Sequence, residues 1–332
     1  MTPTAKGALL SLLAFGVYAT HDAVVKVLGA DHSPFQLIFF STLFSFPLAM
    51  GMMMRDPAPG TLRPVRPGWI ALRSLATVVT GLSAFYAFSV LPLAQVYALA
   101  FAQPLLITLL AIPLLGEKVR LRRGLAVVAG LAGVMVVLRP GATEFSLGHL
   151  AALMAAVGGA VASVIVRKVG EVERPVVLLL YPMLANLAVA AVALPWVYRP
   201  MPADHLALAA VMSVLGWTGG VLIIAAYKAA RAVVVAPMQY VQILFAALYG
   251  YLLFDEAIDA WTAVGAGIII ASGLYIVLRE DSPGTSANQP VLSSRLRPET
   301  GTSPRPSVLG RLLGRVAPPR MGHLAPHLTP GE

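Results

Sequence analysis

Apolar residues run in blocks along this chain, and charges and Pro/Gly breaks separate the blocks. Each block approaches the roughly 20 residues a helix needs to cross a bilayer core. Ten spans are predicted: 7–28, 35–54, 69–90, 92–115, 121–138, 147–167, 175–197, 205–228, 233–254 and 261–278. The connections are short. Val90-Leu91-Pro92, between spans three and four, is barely a turn, which sets neighbouring helices antiparallel. Lys6 followed by Gly7–Thr20 resembles the start of a secretory signal. The apolar stretch resumes after His21-Asp22, and no A-x-A site follows, so the first span is read as a retained helix.

Composition agrees with the pattern. Of 332 residues, 58% are hydrophobic and 12% charged, and mean hydropathy is +0.79. Soluble domains average about 45–50% apolar and about 25% charged residues. So few charges cannot cover a globule of this size, and the chain reads as an all-α membrane protein. With no cysteine there are no disulfides, thiolate metal sites or Cys nucleophile. A pI near 10.0 raises nucleic acid as a partner. The basic residues punctuate apolar runs instead of forming one patch, which excludes it.

Loop charges also report orientation. With the N-terminus in the cytoplasm, fifteen Lys and Arg fall in inside loops and three, Lys26, Arg139 and Arg199, outside. Both termini are therefore expected inside, in a bacterial-type inner membrane. From Asp281 onward the sequence changes to a stretch with nine prolines and little apolar content. Residues 281–332 are expected to be a disordered cytoplasmic tail. Leu309–Val316 is a short candidate for lying on an anionic membrane.

Residues 114–139 and 253–279 are alike: an apolar run, an acidic residue, a polar break, a small-residue-rich helix and a terminal Arg. One register pairs Glu117 with Glu256 and Gln103 with Gln242. Upstream, Gly16 pairs with Gly158 and Lys26 with Lys168. The chain therefore divides into two five-helix repeats, 1–140 and 141–280. Five is odd, so the second repeat enters the bilayer upside down. Inverted repeats mark many secondary transporters, with the substrate site near the midplane between halves.

The fourth span running into Gly116-Glu117 (QPLLITLLAIPLLGE), the following helix (GLAVVAGLAGVMVVL), and their counterparts around Asp255-Glu256 resemble the drug/metabolite transporter superfamily, EamA type. The resemblance covers about residues 7–279. It implies ten helices and export or uptake of small metabolites such as amino acids. It also implies a central cavity among spans 1, 3, 4, 6, 8 and 9, with spans 5 and 10 peripheral. No ATP site is implied, and no G-x-x-x-x-G-K-[ST] is present.

Ionisable groups inside spans cost about 2.5–3.5 kcal/mol each, so they carry functional weight. His21, Asp22 and Lys26 lie in the first span, with Asp22 and Lys26 spaced to pair on one helix face and Tyr18 extending it. They read as a polar strip with a proton site, or as an anchor at the membrane surface. Gln239 and Gln242, with Tyr240, form a candidate cavity face in span nine. Gln103, Tyr97 and Phe101 form its counterpart in span four; interhelical hydrogen bonding is the plainer reading. Pro104 and Pro237 interrupt these two spans and are candidate hinges. Arg73 either snorkels to lipid phosphates or meets a substrate carboxylate. Trp217 is a further cavity candidate, and Tyr86, Ser83, Ser163 and Asn186 are weaker ones. Glu117 and Glu256 fall on opposite sides and are expected to cap the helices that follow them. Gly130, Gly133, Gly265, Gly267 and Gly273 read as close packing, within the chain or between the protomers of a homodimer.

The reading is a secondary active transporter that needs no cofactor or metal, with a small molecule and membrane lipids as its partners. The few interior charges favour a neutral, zwitterionic or amphipathic substrate. Export of amino acids or related compounds comes first, and uptake of a nucleoside- or vitamin-like metabolite second. A membrane-embedded enzyme would need clustered His, Asp or Glu, and the six histidines are scattered. A lipid-facing flippase would need a lateral opening between spans.

Overall fold

The computed structural model describes residues 2–54, 62–116, 121–140, 144–170, 172–230 and 232–280. Its helices are α1 (Pro3–Gly29), α2 (Pro34–Met54), α3 (Pro67–Val90), α4 (Leu93–Ala100), α5 (Gln103–Leu115) and α6 (Leu121–Leu138). They continue as α7 (Leu147–Val169), α8 (Pro175–Val197), α9 (Ala203–Ala229), α10 (Ala232–Val235), a 3₁₀ turn (Ala236–Val241), α11 (Gln242–Phe254) and α12 (Ala260–Glu280). Among the described residues, ten spans are long and apolar enough to cross a membrane. The expected tail, Leu309–Val316 within it, and Glu117 lie outside the described residues.

Local chemistry sets the helix ends. Pro67 and Pro175 open α3 and α8, where the missing N–H of proline loses no bond. Gly116 closes α5 in the left-handed conformation at φ 73°. Two spans are broken. The fourth bends at Phe101-Ala102 between α4 and α5, because Pro104 cannot donate to the carbonyl four residues back. The ninth enters through α10 and the 3₁₀ turn that holds Pro237, and only then becomes α11.

Helices pack in pairs: α1 with α9, α3 with α7, α2 with α8, α6 with α12, and α4 with α11. Close approach needs small residues. A Cβ on Gly133 would lie 2.9 Å from the Gly265 carbonyl, and one on Gly265 2.7 Å from the Gly133 carbonyl. The small residues of spans five and ten thus join α6 to α12 within one chain, while Gly267 faces open space. Around the outside stand exposed Leu121, Leu125, Val128, Val192, Leu244 and Val264. Such a belt suits hydrocarbon, where every backbone polar group must be paired within the helices.

Candidate functional site

α1 runs unbroken past His21 and Asp22, so these residues sit inside the bundle at 2% and 1% exposure. The surface-anchor reading of the first span does not apply to them. The Asp22 carboxylate joins two neighbouring side chains: His21 Nδ1 lies 2.7 Å from Oδ1, and the Tyr97 hydroxyl on α4 donates to Oδ2. Tyr97 in turn accepts from Gln242 Nε2 at 3.4 Å. The broken spans account for this meeting. Tyr97 precedes the break in the fourth span, and Gln242 opens α11 immediately after the 3₁₀ turn. One polar chain, Gln242–Tyr97–Asp22–His21, therefore crosses three spans. Each hydrogen bond to a charged group offsets about 1.5–3 kcal/mol of burying the carboxylate.

Aromatic rings wall this chain. Phe88 and Tyr97 lie 5.5 Å apart, and Phe101 meets Tyr240 edge-on at 5.0 Å. Tyr240 turns its hydroxyl toward α12, where a Cβ on Gly273 would come within 2.0 Å. Tyr18 packs on Gly219 of α9. Gly216 in the same helix faces the His21 ring. Among the described residues, His21 Nε2 and the indole Nε1 of Trp217 on α9 are buried nitrogens with no partner. Gln103 packs on Gly159 of α7, with Ser163 buried one turn further along. Tyr86 on α3 and Gln239 in the 3₁₀ turn are half-buried.

Lys26 does not form the expected pair with Asp22. Its ammonium sits 2.8 Å from Glu256 Oε1, donates to the Leu91 carbonyl, and lies 5.3 Å over the Phe254 ring. Glu256 departs from expectation too. It does not cap α12. Its Oε2 accepts the Leu93 N–H at 3.0 Å, at the start of α4. The cause is the chain break: Asp255 closes α11 in the left-handed conformation, and residues 255–259 are not helical. Asp259 occupies the capping position, accepting from the Trp261 and Thr262 amides and pairing with Arg139. Burial pushes the Asp259 carboxyl up, but Thr262 and Arg139 outweigh it and hold the group below its ordinary value. Together Lys26, Glu256 and the Leu91–Leu93 link form a clasp across one end of the bundle.

Arg73 does not snorkel. It is 3% exposed and donates through Nη1 to the Leu178 carbonyl of α8. That carbonyl is free because its usual donor, four residues on, is Pro182. At the same end Lys168, the counterpart of Lys26, donates to the Leu114 carbonyl at 2.6 Å and lies 4.6 Å over Trp69.

Folding also joins residues far apart in sequence. His32 and His205 meet at 2.9 Å between the α1–α2 turn and the start of α9. Burial, and His205 beside it, hold His32 below the ordinary imidazole value. Gln36 exchanges two hydrogen bonds with the Arg199 backbone, at 2.7 and 2.9 Å. Their separations of more than 160 residues leave no local signal to read.

The profile of the EamA-like transporter family matches this chain twice, over residues 5–139 and 146–278. An S-adenosylmethionine uptake transporter of Rickettsia bellii (strain RML369-C) is 27% identical over 82% of this chain and 92% of its own length. A pseudopaline exporter of Pseudomonas aeruginosa (strain UCBPP-PA14) is 27% identical over 80% and 94%. A riboflavin transporter of Rhizobium johnstonii (strain DSM 114642 / LMG 32736 / 3841) is 29% identical over 73% and 78%. A solved crystal structure at 22% identity superposes with a TM-score of 0.53, covering 83% of this chain and 99% of that one, which shows a shared fold.

Proposed function

The chain belongs to the EamA-like transporter family and is a multi-pass membrane transporter of small molecules, not an enzyme; we propose that it is a secondary active transporter working by alternating access. The moving parts are two inverted five-helix repeats, residues 1–140 and 141–280. Helix pairing supports this reading. Exchanging the halves converts the α1–α9 contact into the α7–α3 contact and leaves the α2–α8 and α6–α12 pairs unchanged. The Lys and Arg bias places both termini in the cytoplasm of a bacterial-type inner membrane, with the Lys26–Glu256 clasp on the outside. In this arrangement the clasp holds the outer end shut.

The observation that carries the proposal is the buried chain Gln242–Tyr97–Asp22–His21, shared between the halves. A carboxylate there exchanges a proton or a cationic group on the substrate as the halves rock. The substrate is a small zwitterionic or amphipathic metabolite, and export of amino acids or related compounds is the first reading. Uptake of a nucleoside- or vitamin-like compound is the second, favoured by the names of the S-adenosylmethionine and riboflavin relatives.

The test is a metabolite screen in proteoliposomes, with and without a proton gradient, on the wild type and Asp22→Asn. Wild-type flux that responds to the gradient and is lost in a folded Asp22→Asn variant supports the proposal. Unchanged flux in Asp22→Asn removes the carboxylate from the mechanism.

A further inference from the structure

Arg73 is a buried cation with no counter-ion among the described residues. It lies in α3 about two helical turns from Pro67 and is 3% exposed. Among the described residues no carboxylate reaches ion-pair distance of its guanidinium. Glu173, the buried acid on the neighbouring α7–α8 segment, uses Oε1 to accept the Arg66 N–H at the start of α3. Among the described residues the guanidinium bonds only to the neutral Leu178 carbonyl, and its Nε has no partner. A guanidinium presents five N–H donors in a fork shaped for a carboxylate. Capping one freed carbonyl uses a single donor of the fork and none of its charge. The bond to Leu178 therefore leaves the buried charge itself unexplained.

We propose that Arg73 is the carboxylate-recognition residue of the transport path, engaged when the end of the bundle away from the Lys26–Glu256 clasp admits substrate. This rests on the transporter reading and deepens it. The substrate class becomes amino-acid-like compounds with a free carboxylate. Asp22 and Arg73 then serve as separate stations. With a rise of about 1.5 Å per residue, Asp22 is far along α1 from the end where Arg73 lies near the start of α3.

The experiment uses the full chain in nanodiscs and proteoliposomes. The probes are L-methionine and S-adenosylmethionine, each against its carboxyl methyl ester. Thermal stabilisation and inhibition of flux are read on the wild type, Arg73→Gln and Arg73→Lys. Glutamine keeps an amide donor on this side chain but removes the charge, and the melting temperature checks that the fold is kept. The wild type should prefer at least one free acid over its ester by about tenfold or more, an energy of about 1.4 kcal/mol. Arg73→Gln should erase the preference, and Arg73→Lys should restore part of it. A merely structural role moves the melting temperature but not the acid-to-ester ratio. An undiminished ratio in a folded Arg73→Gln overturns the proposal, as does a wild type that ignores both free acids. Failure of the transporter reading looks different, because no compound in the wider screen then crosses the membrane.

Discussion

Replacing Glu256 with Gln tests whether the clasp holds its end of the bundle shut. Lys26 Nζ and Glu256 Oε1 lie 2.8 Å apart with side chains 12% and 18% exposed. Exposed ion pairs contribute about 0–1 kcal/mol. Breaking a fully buried pair costs about 3–5 kcal/mol. This pair is largely but not wholly buried. Gln keeps an oxygen for the Leu93 N–H, so only the charge is lost. A working value of about 2 kcal/mol follows, a factor of about 30 in the open population.

The absence of cysteine makes the assay clean. Ala23→Cys places one thiol in the core, 4% exposed, one turn before Lys26. Its labelling by a water-soluble thiol reagent should accelerate about five- to 30-fold in Glu256→Gln. Lys26→Gln should give a similar rate. The double variant should add little to either single change, because one interaction is removed in all three. Labelling within twofold of the parent in Glu256→Gln would refute the clasp as a closure.

Three further outcomes are expected. Tyr97→Phe leaves the packing on Phe88 and Phe101 but strips the hydroxyl from Asp22 and Gln242; stability should fall by about 1–3 kcal/mol in thermal melts, with flux reduced, and an unaltered melt and flux would show that the hydroxyl is not used. Gly273→Ala drives a methyl to within 2.0 Å of the Tyr240 hydroxyl; overpacking of about 1–3 kcal/mol is expected, and Tyr240→Phe in the same chain should relieve it, so an additive double variant would contradict the contact. Burial first, then His205 and Arg199, hold His32 below its ordinary value of 6.5, against Asp31, which favours its charge. The unfolded chain therefore binds more protons just below 6.5, and stability falls as pH drops through that window and then levels off. His32→Gln should flatten the profile, and parallel melting curves from pH 7.5 to 5 would rule the pair out as its source.

The spans were legible because an apolar run of bilayer length has few alternative uses. The predicted 121–138 and 175–197 coincide with α6 and α8. The breaks in spans four and nine follow from Pro104 and Pro237, since proline removes a helical donor wherever it falls. Partners were less legible. Spacing of i,i+4 put Lys26 near Asp22, but a long flexible side chain reaches the stronger acceptors that the fold delivers, Glu256 and the Leu91 carbonyl. Arg73 near a helix start suggested lipid. Its true partner depends on Pro182, 109 positions later, freeing a carbonyl on a helix that packs against α3.

The two halves share a scaffold but not a chemistry. In the register that pairs Lys26 with Lys168, His21 aligns with Ser163 and Asp22 with Val164. In the register that pairs Gln103 with Gln242, Tyr97 aligns with Ala236. Glycine contacts and proline breaks recur in both halves because each repeat must fold and pack alike. The carboxylate and its two close partners occur once, in the first half, and Gln242 reaches them from the second. A rocking pair of repeats needs two equivalent hinges, but two buried carboxylates facing one path would repel each other and raise the cost of burial. In the proposed mechanism one acidic station between the halves avoids that repulsion, and the Gln242–Tyr97 bond is the link through which the second half would sense the state of Asp22.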